Sequence, residues 1–136
     1  MTVRDEVRPI DAAPLFSEHM PIFQMPDDDG RFVIATDFTA PHLNRAGTVH
    51  GGLIASFLDV AIAGGAGHAA GDLEAWFGVT LTLTVNYIAA AQPGPARCVA
   101  EALGGRSTRT MHARLYDSTG TLAASATGTV RVVARP

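Results

Sequence analysis

The segment Asn44-Arg-Ala-Gly-Thr-Val-His50-Gly51-Gly52-Leu53-Ile-Ala-Ser56-Phe57-Leu58-Asp59-Val60-Ala-Ile-Ala63-Gly64-Gly65-Ala-Gly67 carries one carboxylate, Asp59, in a run of apolar and small residues. From His50 onward the spacing predicts a helix. Leu53, Phe57, Val60 and Gly64 share one face, and Ile54, Leu58, Ala61 and Gly65 share the next. A third, narrow stripe holds Gly52, Ser56, Asp59 and Ala63. A helix apolar on so many sides must be buried on most of them, so its one ionisable group is paired, neutralised or kept for chemistry. Thr48 is a candidate N-cap, and the glycines from Gly64 to Gly71 are read as the helix end. Gly51 and Gly52 leave bare backbone N–H groups at the positive end of the helix dipole.

Outward from this helix, residues 1–30 are punctuated by Pro9, Pro14, Pro21 and Pro26. They read as an N-terminal arm with one short helix, closing on an Asp27–Gly30 turn. Phe32, Ile34, Thr36 and Phe38 alternate with Val33, Ala35 and Asp37 and predict a strand. A second, longer alternation runs Val79, Leu81, Leu83, Val85, Tyr87 against Thr80, Thr82, Thr84, Asn86. Three more strands follow over 97–103, 108–116 and 121–133, turned at Gly104-Gly105 and at Asp117–Gly120. The order is one strand, one long helix, then four strands in hairpin succession. It predicts a single α+β domain over 1–136, an antiparallel sheet wrapped around one long central helix.

Composition narrows the function classes. A net charge of −3 argues against general nucleic-acid binding. All ten basic residues are arginines; four face eleven acids before Arg97, and from Arg97 onward six face only Glu101 and Asp117. That asymmetry suits an anionic ligand near the C-terminal third, and a solvated arginine face explains it as well. The lone Cys98 excludes an internal disulfide framework and suits a reducing compartment. The first twenty residues carry Asp5, Glu6, Asp11 and Glu18 and lack the apolar core of a signal peptide, so the expected location is the cytoplasm. Residues 51–71 approach a membrane span in length, but Asp59 at the centre would cost about 2.5–3.5 kcal/mol on insertion. The histidines show no ligand spacing, and no metal or cofactor is expected.

Asn44-x-x-Gly47-x-x-His50-Gly51-Gly52, with Asp59 nine residues after His50, resembles the signature of the hotdog-fold acyl-CoA thioesterases of the PaaI-like group. The Gly78-Val-Thr80 strand, the Asn86-Tyr87-Ile88 stretch and the Asp117–Gly120 hairpin fit the same pattern, which covers residues 30–133. Ala90 departs from it, where the family usually has proline, as does the longer Gly64–Trp76 connection. The resemblance implies metal-free and cofactor-free hydrolysis of an acyl-CoA by a homodimer, or by a dimer of dimers.

Thioester hydrolysis needs a base or nucleophile, donors for the developing oxyanion and a hold on the substrate. Asp59 is the candidate base or nucleophile, with a buried carboxylate bonded to Ser56 or to backbone as the bland alternative. Gly51 N–H, helped by Gly52, would polarise the carbonyl. His50 either orients the carbonyl or the leaving sulfur, or fixes the loop with Asn44. Thr80 matches the family position that helps hold the attacking water, and equally well reads as one more threonine on a polar strand face. Arg106, Ser107, Thr108 and Arg109, just past a turn, are candidates for the coenzyme A phosphates, Gly52 for the same ligand's approach.

Two rivals remain at this stage. A non-catalytic acyl-CoA sensor would gain nothing from an unpaired buried carboxylate. An enoyl-CoA hydratase would need an Asp/His pair, whereas His50 and Asp59 stand about 13 Å apart along one helix. The same geometry separates Gly51 from Asp59 by about 12 Å, too far for both to act on one carbonyl. A homodimer with sites shared between subunits is therefore expected.

Overall fold

The computed structural model describes residues 7–136. Its centre is the expected helix, α2 below, which is long because nothing from Leu53 to Ala69 breaks the helical period. In chain order the elements are β1 (Arg8–Pro9), α1 (Pro14–His19), β2 (Phe23–Asp28), β3 (Arg31–Phe38) and a 3₁₀ turn at Ala40–His42. Then come α2 (Gly51–Ala69), β4 (Trp76–Tyr87), β5 (Gly94–Gly105), β6 (Thr108–Tyr116) and β7 (Leu122–Ala134). The strands form one antiparallel seven-stranded sheet in the order β1-β2-β3-β5-β6-β7-β4. It wraps α2, which packs against β3, β4, β5, β6 and β7. This is the α+β hotdog architecture expected from the sequence.

The face of α2 turned to the sheet is Ile54, Phe57, Leu58, Ala61, Ile62, Gly65 and Ala66, all buried. Against it lie Phe32, Phe38, Met111, Leu115 and Val130, with the Phe38 and Phe57 rings edge-on at 5.8 Å. Gly51–Ala69 is the one helix among the described residues long and apolar enough to cross a membrane, and here the sheet covers it.

Several sequence expectations need correction. The glycines from Gly64 to Gly67 do not end the helix; they let it approach the sheet. A Cβ on Gly64 would fall 2.8 Å from the Phe32 ring, and one on Gly65 3.0 Å from Met111 Cε. Only Gly71, at φ +126, lies at the end. The connection to β4 is accordingly short, residues 70–75. The cap is His50 rather than Thr48.

Of the four later strands β5, β6 and β7 follow in hairpin succession, but β4 does not. β4 crosses over to the sheet edge beside β7, while β5 sits between β3 and β6. Sequential strands are neighbours only about two-thirds of the time. The crossing loop is latched by Asp117, which accepts hydrogen bonds from Gln92 N and, within its own turn, from the Thr119 N–H and hydroxyl and Thr121 N. Burial works to raise the Asp117 pKa, but these donors outweigh it and hold the carboxyl below its ordinary value. The β5–β6 turn is Arg106-Ser107 itself, with Gly105 at φ +100 still paired to Arg109. Finally, the arm contributes β1 and β2 to the sheet. Pro26 hid β2 from the alternation, because it sits where the register with β3 shifts between Met25 and Asp28.

Candidate active site

Two clusters form at separate places along α2. The first is at its N-terminus. His50 Nδ1 accepts the Gly52 N–H at 2.9 Å, so the neutral ring carries its proton on Nε2, on an exposed side chain. Gly52 N–H is therefore engaged, while Gly51 N–H has no partner among the described residues. Gly51 is fixed in turn by Tyr87, whose hydroxyl donates to the Gly51 carbonyl at 2.6 Å. The loop before the helix is held by Asn44, whose Oδ1 accepts from Ala46 N at 2.9 Å and Thr48 N at 3.2 Å. Asn44 thus works inside its own loop and positions the His50-Gly51 turn.

The second cluster is in mid-helix. Thr80 Oγ1 donates to Asp59 Oδ1 at 2.6 Å. Asp59 is half-buried and, among the described residues, makes no ion pair. Its other oxygen is left for a water or a substrate. Ser56 does not share in this, since its hydroxyl donates to Gly52 O on the same helix.

A β-bulge puts Thr80 there. The β4–β7 register shifts between Thr80 and Thr82, so the inward face is Gly78 and Thr80 before the bulge and Leu83 and Val85 after it. The uniform alternation from Val79 to Tyr87 is thus split, leaving Val79 and Leu81 exposed. Sequence periodicity gives no sign of this, because Val-Thr-Leu-Thr-Leu-Thr-Val reads the same with or without the extra residue. Tyr87 was likewise missed as a site residue; only its place in the Asn86-Tyr87-Ile88 stretch marked it.

Asp59 and Thr80 open onto a cavity of about 940 Å³ between the two edges of the wrapped sheet. Val60, Ala63 and Phe77 line it near the carboxylate, and Arg8 and Arg135 lie on opposite walls. Arg106, Ser107, Thr108 and Arg109 do not line it. They sit at the β5–β6 hairpin, where Ser107 O accepts Val132 N and the Arg109 Nε is buried without a partner. Cys98 is fully buried in β5, and that burial pushes its thiol pKa up, away from the reactive thiolate. His42 is structural: Nδ1 accepts Thr39 N and Nε2 donates to His19 O.

An antiparallel sheet wrapped on one long helix is the hotdog fold. The chain belongs to the Thioesterase superfamily, which it matches over residues 46–124, and within it to the hotdog-fold PaaI-like group. Among solved structures, a Bacillus halodurans protein crystallised with CoA is similar at 26% identity and TM-score 0.68, over 79% of this chain and 70% of that one. A variant of the phenylacetic acid degradation protein PaaI from Thermus thermophilus is similar at 26% identity and TM-score 0.70, over 88% and 98%. A Streptococcus mutans protein bound to acetyl CoA shares the fold at 22% identity and TM-score 0.68, over 82% and 88%. None of the curated proteins matches by sequence.

Proposed function

We propose that this protein hydrolyses an acyl- or aryl-CoA thioester to the free acid and CoA, with Asp59 as general base or nucleophile. The observation that carries this reading is the Thr80–Asp59 hydrogen bond at the cavity wall, which orients the carboxylate and leaves one oxygen unbonded. In the base route, Asp59 takes a proton from water as the oxygen attacks the thioester carbonyl; the C–S bond then breaks and the CoA thiolate regains a proton. In the nucleophilic route, Asp59 attacks to give a mixed anhydride, which water then cleaves. Either way the carbonyl oxygen becomes an oxyanion, and Gly51 N–H is the donor proposed for it. His50 and Asn44 act by holding that N–H in place.

Gly51 and Asp59 of one chain are about 12 Å apart along α2, so the site is proposed to form between two copies. The β4 edge supports this. Among the described residues it has no strand partner on its outer side, and it exposes Leu81 and Tyr87, at 57% and 56%. Thr80 touches Asp59 and Tyr87 touches Gly51, so the two ends of the catalytic span are both marked on β4. Antiparallel pairing of β4 with its copy, about a two-fold axis between those residues, sets Thr80 against the partner's Tyr87. The partner's Gly51 is then carried toward Asp59, and both sites of the C₂ dimer are equivalent. The lone Cys98 suits a reducing, cytoplasmic setting.

A panel of acyl-CoA esters, read as thiol release, tests the function. Saturable release is expected for at least one acyl class. Tight binding without release would favour the sensor, and neither binding nor release would overturn the proposal. The β5–β6 hairpin remains the proposed contact for the CoA phosphates, the CoA-bound Bacillus neighbour supporting the ligand class. Arg106→Ala is then expected to raise KM about 5–20-fold for acyl-CoA, the loss of one charge-assisted contact. The rise should be much smaller for an acyl-pantetheine lacking the phosphates. Equal losses on both would remove Arg106 from phosphate binding.

A further inference from the structure

Because the sheet wraps α2 incompletely, its two edges leave a slot along the helix. Asp59 lies in this slot with Val60, Ala63 and Gly64. One wall is β4 with Phe77, Gly78 and Thr80. The opposite wall is the N-terminal arm, which lies outside the residues that match the superfamily. Ile10 and Phe16 face the slot from there.

The arm is anchored, so it is a wall and not a loose tail. Arg8 and Pro9 pair with Gln24 and Phe23 of β2, and Ile10 N donates to Ile22 O at 2.8 Å. Just beyond, Met20 and Ile22 are 2% exposed, Thr36 Oγ1 bonds Pro21 O at 2.8 Å, and His42 bonds His19 O. Both ends of the wall are thus tied into the core, and Ile10 and Phe16 pack against it.

The slot is lined by both apolar and polar side chains. Next to the carboxylate its surface is Val60, Ala63 and Phe77, and across from them Ile10 and Phe16. Besides Asp59 itself, charge comes from Arg8 and Asp11 on the arm, Glu74 in the loop before β4, and Arg135. Arg135 is held by its Nε bond to Leu73 O at 2.7 Å and lies over the Phe77 ring. Ile10, Phe16, Val60, Ala63 and Phe77 give an apolar stripe along the slot, and the lining as a whole carries three acids against two arginines, so an anionic tail finds no net attraction there.

We infer that Ile10 and Phe16 of the N-terminal arm select the acyl group, an uncharged apolar chain or ring laid along the slot from Asp59. This rests on the thioesterase reading above. Each methylene accommodated against apolar wall contributes about 0.8 kcal/mol, close to a fourfold change in kcat/KM.

The test compares kcat/KM across unbranched acyl-CoA esters of increasing length, plus an ω-carboxyacyl-CoA, for the wild-type protein and the variants Phe16→Ala, Ile10→Ala and Ile10→Phe. The two alanine variants are expected to move the length optimum upward, with the long-to-short ratio of kcat/KM rising about fourfold for each methylene newly fitted. Ile10→Phe is expected to move it downward. The ω-carboxy ester is expected to be worse than its neutral analogue of equal length by tenfold or more. Equal changes at every length, or an unmoved optimum in all three variants, would overturn the inference while leaving the hydrolase intact. A wild-type protein that hydrolyses none of the esters would instead overturn the thioesterase reading itself.

Discussion

Asp59→Asn is expected to lower kcat by about 10²–10⁴-fold while leaving the fold and acyl-CoA binding unchanged. The amide has nearly the same shape, and its oxygen still accepts the Thr80 hydroxyl that holds Asp59 Oδ1 at 2.6 Å. What is lost is the ability to take a proton or to attack, in either of the two routes. Steady-state kinetics beside a thermal melt and a binding titration separate these effects. Unchanged turnover would remove Asp59 from the mechanism, and lost binding would make it a substrate contact.

The second large effect is structural and reaches the same pair. Gly78 faces α2 where helix and strand nearly touch. A Cβ there would stand 2.4 Å from the Ala63 carbonyl oxygen and 2.6 Å from Val130 Cγ1. Backbone cannot swing aside as a flexible side chain can, so Gly78→Ala must push β4 off the helix. Overpacking of this kind costs about 1–3 kcal/mol, or roughly 4–12 °C in Tm for a domain of this size. It also separates Thr80, two residues on, from Asp59, so kcat should fall in the folded fraction. Gly104→Ala is the control, since a Cβ there meets nothing within 4 Å and its φ is not positive. It should stay within about 0.5 kcal/mol of the parent. Equal stability of the two variants would show that α2 and β4 are not in close contact at Gly78.

The same glycines show where sequence reasoning stops. The helix was legible because apolar residues recur at its period with no breaker from Leu53 to Ala63, and its one carboxylate stood out by isolation. Whether Gly64 and Gly65 end a helix or admit a neighbour depends on Phe32 and Met111, which lie far away in sequence, and Gly67 is decided by Leu73 and Trp76 beyond the turn. The central alternation of β4 was legible as a strand, but its bulge was not, and the bulge alone decides that Thr80 meets Asp59. His50 was visible beside the glycines; that its ring would engage the Gly52 N–H, leaving Gly51's bare, is a matter of rotamer. The arm hid β2 behind Pro26, and with it the second wall of the cavity.

That each site is built from both subunits is tested most directly by complementation. Chains carrying Asp59→Asn are mixed with chains in which Gly51→Pro removes the N–H proposed for the oxyanion, and subunits are allowed to exchange. A mixed dimer has one site lacking both groups and one site with both intact. Two inactive parents should therefore yield heterodimers with about half the wild-type activity per dimer, a statistical expectation for independent sites. Verified heterodimers without activity, or a monomer with full activity, would mean that each site is made by a single chain.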